Sequence, residues 1–522
     1  LVLLTAAFCF PGTAFRTPLV PPVSSVPEAV LWKGFMMGAP DDARTTAEKP
    51  IAGIAAVVLA AGKSTRMRSK LPKTLHPICG KPLIIHILNA LAEAGVTRRV
   101  VVVGHQAERV QETVDAYFGP GVIEYVAQSE QRGTGHAVQM ARPLLEDYPG
   151  PTLVVPGDAP LLTGEVLARL ISLHQERSAA VTILTAILPH NAGTYGRVVR
   201  DDQGHVQGIV EARDASPKQL ALREINTSIY IFNTPSLFRA LDQIAPDNAQ
   251  AELYLTDSIA VMRTGEEKVV ALVSPDPDVV LGVNTRVELV DVATKMRMRL
   301  LKDIMLAGVT IVDPATTYID VGVSIGQDTI IHPGTQITGA TTIGEDCIIG
   351  PNAIINDSTL AGNVQARVCV MDKAVVGEGC RIGPFAHLRP GSVLEARVKL
   401  GNFVETKNAY LQEAVSVGHL SYIGDAEVGA QTNIGAGTIT CNYDGYDKHR
   451  TRIGANAFIG SATTLVAPVA VGDGAVTGAG SVITDDVPPD ALAIARERQM
   501  VKEGWAARRR AKFAERRKDK QP

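Results

Sequence analysis

The run Leu59-Ala60-Ala61-Gly62-Lys63-Ser64-Thr65-Arg66-Met67, followed by Leu71-Pro72-Lys73, combines small residues with fixed cations in the pattern of a phosphate cradle. Ile54 to Leu59 reads as a buried strand, and Ala60-Ala61-Gly62 removes side-chain bulk where it ends, so that backbone N–H groups can close on phosphate oxygens. Arg66 and Lys73 add positive charge. A P-loop is excluded, because the first glycine of G-x-x-x-x-G-K-[ST] would fall at Val57. Taken alone, the stretch reads as readily as a strand-to-helix turn with solvated cations, and its neighbours decide between the two.

Those neighbours carry the polar groups that such a site needs. Thr152 to Pro156 is a further strand, and Gly157-Asp158 puts a carboxylate just past its C-terminal end, the edge at which open α/β sheets bind ligands. Gln128-Ser129-Glu130-Gln131-Arg132-Gly133-Thr134-Gly135-His136-Ala137 is a glycine-punctuated loop running into a helix, with donors suited to a base edge. Tyr195-Gly196-Arg197, Val210-Glu211, Glu224-Ile225-Asn226-Thr227 and Gly282-Val283-Asn284 each set one polar group beside a glycine or an apolar strand. A second polar group lies far downstream: Arg389, Glu405, Lys407, His419, Tyr422, Asn433, and the aromatic, polar stretch Cys441 to Lys448.

The elements that position these groups follow from pattern. At 522 residues the chain exceeds a single core. With 46% hydrophobic and 20% charged residues it is globular over most of its length. A net charge of −3 gives no overall attraction to nucleic acid or membrane. Six scattered cysteines without a C-x-x-C pair argue for free thiols in a reducing compartment and against a zinc site.

From Ile54 to about Val283 strand-like and helix-like segments alternate, as in a mainly parallel sheet covered by helices. The helix opened by Pro82 shows Ile84, Ile87, Leu88 and Leu91 at helical spacing and stops at Gly95. Residues 285–308 form a linker helix with Leu289, Val292, Met296 and Leu300 on one face. Beyond it the period becomes six, in Ile325, Ile331, Ile337, Ile343, Ile349 and Ile355, then Val364, Val370, Val376, Ile382 and Leu388, then Ile453, Ile459, Leu465, Val471, Thr477 and Ile483. A six-residue period predicts a parallel β-helix, three hexapeptides to a coil, over residues 309–505. Thr440 to Arg452 breaks the register and reads as a loop reaching a ligand or a neighbouring subunit.

The motifs L-A-A-G-x-x-T-R-M, L-P-K, Q-x-E-Q-x-G-T-x-H-A, G-D, Y-G-R, V-E, E-I-N-T and G-V-N, in this order, resemble the nucleotidyltransferases that join a nucleoside triphosphate to a sugar 1-phosphate. Gln128 to Ala137 and Glu224 to Thr227 are most similar to the uridylyltransferases for N-acetylglucosamine 1-phosphate. Downstream, F-A-H-L-R-P-G, N-F-V-E-T-K, G-H-L-S-Y-I-G-D-A-E and N-I-G-A-G-T-I-T-C-N-Y-D-G resemble the acetyltransferase half of the bifunctional bacterial enzymes that make UDP-N-acetylglucosamine. Ser64, Pro156 and His387 stand where the family usually has Gly, Tyr and Arg.

The resemblance implies a Rossmann-like α/β uridylyltransferase domain over residues 51–284, then a left-handed parallel β-helix acting as an acetyltransferase. It implies that Leu59, Ala60, Ala61, Gly62, Lys73, Gln128, Gly133, Thr134, Gly157, Asp158, Gly196, Glu211, Asn226 and Asn284 bind UTP and the amino sugar. Asp158 and Asn284 would hold Mg²⁺, whose remaining positions go to phosphate and water. Arg66 and Lys73 would stabilise charge on the transferred and leaving groups. In the second half, Arg389, Lys407, Tyr422, Asn433, Asn442 and Tyr443 would bind glucosamine 1-phosphate, and Ala436, Ser461, Ala479 and Arg496 would line an acetyl-CoA groove. His419 would be the base, since an unperturbed imidazole titrates near neutrality. Glu405 is a candidate to orient it.

The implied protein is a cytoplasmic homotrimer, without membrane or nucleic-acid partners, whose product feeds peptidoglycan and lipopolysaccharide synthesis. A single-activity nucleotidyltransferase with a structural coil would not need His419, Lys407 or the insertion at Asn442, and a non-catalytic regulatory subunit would not need Arg66, Lys73, Asp158 and Asn284. Residues 1–50 show no period and read as a disordered, dispensable extension, with Met36 or Met37 as an alternative start. Residues 506–522 read as a solvated basic tail.

Overall fold

The computed structural model describes residues 53–62, 65–189 and 192–518, all within one compact unit, Pro50–Pro522. The expectation for residues 1–50 and the Ser64 departure fall outside the described residues.

The first half is built on eleven strands: β1 (Ala55–Ala60), β2 (Pro77–Ile78), β3 (Lys81–Pro82), β4 (Arg98–Val103), β5 (Glu124–Ala127), β6 (Thr152–Pro156), β7 (Val181–Ile187), β8 (Arg197–Arg200), β9 (Val206–Val210), β10 (Glu224–Phe232) and β11 (Val269–Val273). The main sheet runs β11-β7-β10-β6-β1-β4-β5, with β8 on β10 and β9 on β8. β1, β4, β5 and β6 are parallel, whereas β10 is antiparallel to both β6 and β7, so the sheet is mixed. Both faces are covered. Ala56 and Val58 point into one apolar cluster, with Ile84, Ile87, Leu88 and Leu91 of the helix Leu83–Glu93, and Ala55 and Val57 point into the other. This two-sided burial explains why the central strands are continuous apolar runs.

The helix Arg286–Leu306 leaves this domain through a capping box, in which the Thr285 side chain accepts from Glu288 N–H and Glu288 accepts from Thr285 N–H. Val292 and Met296 pack on the first domain, while Leu301, not the Leu300 expected from spacing, is fully buried in the core of the second. The helix turns its apolar stripe as it passes from one core to the next. The seam is completed by the β2–β3 turn. Val321 N–H donates to Cys79 C=O at 2.9 Å, Gly80 lies so close to Asp320 that a Cβ would stand 2.6 Å from its carboxyl, and the Arg297 guanidinium covers the Tyr318 ring at 4.3 Å.

The second half is a coil of short strands that stack into three parallel sheets, each taking every third strand up to the last pair, Val476–Thr477 with Leu492–Ala493. One inward file runs Ile319, Ile337, Ile355, Met371, Leu388, Thr406, Ile423, Thr440, Leu465, Ile483. The six-residue period holds where coils have equal sides, but Ile355 and Met371 are only sixteen residues apart. Some sides are therefore five residues long, and the expected file through Val370 is corrected: Val370 faces outward and Met371 is fully buried. The break after Thr440 is real, since Cys441 pairs with Val466 and the chain between them makes a long excursion before rejoining as Thr451–Ile453. Buried hydroxyls of the coil bond backbone carbonyls, as in Thr335 to His332 C=O at 2.8 Å and Thr463 to Gly460 C=O at 2.6 Å, whereas the buried Thr451 Oγ1 has no partner. Cys347, Cys369 and Cys380 are buried in this coil, and with Cys79 and Cys441 they are free thiols. No helix among the described residues is long and apolar enough to cross a membrane.

Ile355→Ala removes a fully buried side chain from the inward file. The expected cost is about 2–5 kcal/mol, read as a lower unfolding midpoint in denaturant followed by far-UV circular dichroism. An unchanged midpoint would mean that this file does not hold the coils together.

Candidate functional sites

The first cluster assembles at the C-terminal edge of the central strands. β1 pairs with β6 through Val58↔Val155 and Leu59↔Pro156, and Gly157 N–H donates to Leu59 C=O at 2.9 Å. A Cβ at 157 would crowd the edge, standing 3.0 Å from Leu59 C=O and 3.2 Å from the Thr74 methyl. Ala61 is held by the side-chain amide of Gln131, which donates to its carbonyl at 2.6 Å. Lys63 and Ser64 fall outside the described residues, and Gly62 and Thr65 flank them, with Arg66 next in the chain.

Asp158 emerges after β6, and its carbonyl accepts from Val283 N–H at 2.9 Å, which fixes Gly282-Val283-Asn284 alongside it. The Lys73 ammonium pairs with the Asp158 carboxylate and also donates to Asn284 Oδ1 at 3.1 Å. Arg66 Nη2 donates to the same oxygen at 2.9 Å. Asp158 and Asn284 thus share one cation. Two hard oxygens arranged in this way fit a divalent ion that completes its shell with phosphate and water. Among the described residues no group of three or more His, Cys, Asp and Glu side chains gathers into a metal cage.

The loop from Gln128 lies beside this edge. Gln128 N–H donates to Val103 C=O at 2.8 Å, and its side-chain amide donates to Gly133 C=O at 3.1 Å. Gly133 has φ +109°, and a Cβ there would stand 2.5 Å from Leu253 C=O. Thr134 accepts from Leu255 N–H at 3.0 Å. Gly196, Glu211 and Asn226 form a neighbouring group: Asn226 N–H donates to Gly196 C=O at 2.9 Å, and a Cβ on Gly196 would lie 3.3 Å from Glu211 Oε2. Burial, then Asp214 and Asp257, raise the Glu211 carboxyl against the opposing pull of a hydrogen bond from Thr256. Residues 252–256 therefore join the two groups. Sequence reasoning missed this segment, which only the fold brings to the site; Gln131 and Tyr195 lie in motifs it named but were given no role, and the Tyr195 hydroxyl accepts from Gly282 N–H at 3.4 Å.

The second cluster is set by register on the β-helix. Glu405 pairs with Tyr422 in adjacent strands of one sheet, Lys407 pairs with Gly424, and Arg389 follows the strand below. Arg389, Lys407, Tyr422 and Asn442 thus climb one face. Arg389 Nη1 donates to Glu405 Oε1 at 2.8 Å. Glu405 is therefore committed to Arg389, and the expectation that it orients His419 is corrected: His419 Nδ1 meets Asn402 Oδ1, its register partner one coil below. Lys448, brought in by the excursion, lies against Lys407 and lowers its pKa, with Arg389 acting in the same direction. Two adjacent ammonium groups and a guanidinium suit an anion. Asn442 is fixed by the buried Asp425 carboxylate, which also accepts from Asn408 Nδ2 at 2.6 Å, and Asn442 donates to the Tyr422 hydroxyl at 3.5 Å. Tyr443 is not drawn into this group, since its hydroxyl donates to Gly445 C=O within its own loop at 2.6 Å.

Around the corner from Tyr422 runs a separate line. Gly437 N–H donates to His419 C=O at 3.2 Å, Ala462 N–H to Ala436 C=O at 2.6 Å, and Gly480 N–H to Ser461 C=O at 2.8 Å. A Cβ on Gly480 would lie 3.7 Å from Arg496 Cδ. His419, Ala436, Ser461, Ala479 and Arg496 therefore stack up one corner of successive coils, with small residues between the imidazole and the guanidinium. Asn433 is opposite Ser416 in the same sheet, away from the His419 end of its strand.

Family comparisons match the same two halves. Residues 56–228 match the MobA-like NTP transferase domain, 316–404 the C-terminal domain described as GMPPB C-terminal, and 450–485 the hexapeptide repeat of succinyl-transferase. A protein of an Exiguobacterium species named "Bifunctional protein GlmU" is 49% identical over 453 residues, which is 87% of this chain and 99% of that protein. Proteins of the same name from Trichlorobacter lovleyi and Brevibacillus brevis are each 48% identical, over 98% and 97% of their lengths and 87% of this chain. The chain belongs to the GlmU family. Its coil is accordingly a left-handed β-helix, joined to a nucleotidyltransferase domain as in a bifunctional GlmU chain. Hexapeptide coils of this kind also suggest an oligomer.

Within the GlmU coil, Asn408→Ala takes one of two side-chain amide donors from the buried Asp425 carboxylate. A loss of about 1–3 kcal/mol is expected in chemical denaturation; an unchanged midpoint would show that Asn442 alone satisfies the carboxylate.

Proposed function

We infer that the chain makes UDP-N-acetylglucosamine by two transfers, acetyl from acetyl-CoA to glucosamine 1-phosphate and then uridylyl from UTP to N-acetylglucosamine 1-phosphate. The observation that carries the reading is the convergence of Asp158, Asn284, Lys73 and Arg66 at the edge of the sheet, in a chain that spans bifunctional relatives nearly end to end. In the uridylyl step a phosphate oxygen of the amino sugar attacks the α-phosphorus of UTP, a P–O bond forms, and the bond to the β-phosphate breaks to release pyrophosphate. Arg66 and Lys73 offset the repulsion between the two anions and the charge on the leaving group. Gly157 and the Ala60–Gly62 edge let backbone approach the nucleotide, while Gln128, Gly133 and Thr134 face the base and Gly196, Glu211 and Asn226 the sugar. A divalent metal, Mg²⁺ in our reading, would be held by Asp158 and Asn284 and would supply Lewis-acid neutralisation of phosphate charge.

In the acetyl step the amine of glucosamine 1-phosphate attacks the thioester carbonyl, His419 accepts the ammonium proton, and the C–S bond breaks to release CoA thiolate. Arg389, Lys407 and Lys448 hold the sugar phosphate, and Tyr422 and Asn442 orient the ring. The pantetheine arm follows the small-residue line from Ala436 to Arg496. We place the enzyme in the cytoplasm, where UTP and acetyl-CoA are made and where its free thiols persist. The active form is a homotrimer. In one chain His419 and Asn442 stand on opposite sides of a corner, and a β-helix has little room for a deep pocket, so the acetyl site is completed between two coils.

Asp158→Ala is expected to abolish uridylyl transfer and leave acetyl transfer within about twofold of wild type, as measured with each substrate pair in the presence of Mg²⁺. Equal loss of both in a folded oligomer would overturn the two-site reading. Mixing dissociated His419→Ala and Asn442→Ala subunits should restore part of the acetyl transfer. No recovery in verified mixed oligomers, with uridylyl transfer intact, would place both residues in the same subunit.

A further inference from the structure

The two segments that carry the uridylyl-transfer cluster are joined twice. The first joint is Lys73 to Asn284, at 3.1 Å. The second lies three residues past Lys73 on one segment and two past Asn284 on the other. Lys73 opens the 3₁₀ turn Lys73–Leu75, and His76 closes it with its N–H on Lys73 C=O at 3.2 Å. Arg286 is the first residue of the helix Arg286–Leu306, and its Nη1 lies 3.3 Å from His76 Nδ1. An arginine only donates, so this nitrogen of the ring must accept, and the imidazole must be neutral. His76 is 4% exposed. Burial is the main cause that lowers its pKa and Arg286 adds to it, against a smaller opposing effect of the Leu71 backbone.

Both joints are anchored from behind. His76 C=O accepts from Leu83 N–H at 3.1 Å, which ties the turn to the helix Leu83–Glu93. Arg286 is held by the capping box of its own helix, whose Glu288 also accepts from Asn284 N–H at 2.7 Å. A shift of Arg286 would therefore move Asn284, and a shift of His76 would move Lys73.

We propose that His76 is a positioning residue for uridylyl transfer, fixing through Arg286 the separation between the turn that bears Lys73 and the segment that bears Asn284. The inference rests on the uridylyl-transfer reading of the cluster. Its role is to hold the cation and the amide oxygen at one spacing while the phosphates arrive, which acts on the chemical step and not on recognition of the sugar.

The test is steady-state kinetics on the full chain with UTP and N-acetylglucosamine 1-phosphate, comparing His76→Ala, His76→Asn, Arg286→Ala and the Ala/Ala double variant. His76→Ala should lower kcat by about 10- to 100-fold, with KM for the sugar phosphate within about twofold, because Gly196, Glu211 and Asn226 belong to other segments. Asparagine places an amide oxygen near the position of Nδ1 and should recover most of the rate. The double variant should be no slower than the slower single one. Acetyl transfer by the same preparations reports that the chain is folded, and Arg286→Ala reads the same contact should His76→Ala fail to fold. Wild-type kcat in His76→Ala, an asparagine variant as slow as alanine, or losses that multiply in the double variant would each overturn the proposal. A wild-type chain without uridylyl transfer would instead remove the functional reading on which it rests.

Discussion

Everything in the second half depends on the backbone ladder between coils. Each short strand can satisfy its N–H and C=O groups only by pairing with the strand one coil above and one coil below, as in Asn402↔His419 and Lys407↔Gly424. Register is therefore not free, and side chains distant in sequence are forced into vertical lines. The ladder puts Arg389, Lys407, Tyr422 and Asn442 on one face and His419, Ala436, Ser461, Ala479 and Arg496 up the next corner. A one-residue slip would point either line into the core. Where the chain departs from the ladder, after Cys441, it does so over polar residues that return Lys448 to Lys407 and Asn442 to Asp425.

The first half obeys a different rule. Its central strands are parallel and buried on both sides, and the loops at their C-terminal ends gather Gly157, Asp158 and the Gln128–Thr134 turn. The cluster is then closed by residues from far along the chain, with Asn284 locked to Asp158 through Val283 N–H. The helix that starts there is shared between domains, since Val292 and Met296 serve one core and Leu301 the other. The turn at Cys79 and Gly80, only a few residues beyond Lys73, is pressed against Asp320 and Val321 of the first coils. The active edge of one domain is thus built partly on the wall of the next.

Much of this was legible in the chain, and the reasons differ by element. The α/β alternation and the six-residue period are local, so the two folds could be read directly, and the motifs from Leu59 to Asn284 lie where strands end. What could not be read was length per side. Val370 fits the period of six but faces outward, because five-residue sides shift the count and only the stacked coils reveal it. The pairing of Glu405 was likewise out of reach. An acid two residues from Lys407 and fourteen from His419 had several cations to choose from, and register gave it Arg389. Residues 252–256 carry no motif of their own and matter because their backbone closes on Gly133 and Thr134.

The cysteines of the coil bear on chemical compatibility. An enzyme that handles an acyl thioester and releases a free thiol exposes its own cysteines to acyl exchange and mixed-disulfide formation, both of which require thiolate. Burial pushes the Cys380 thiol up to about 11 and Cys369 up to about 12, and it raises Cys347 and Cys441 as well. At neutral pH these sulfurs stay protonated, and the first three are shut away from solvent. The coil can therefore work beside a high-energy thioester without becoming an acyl acceptor itself.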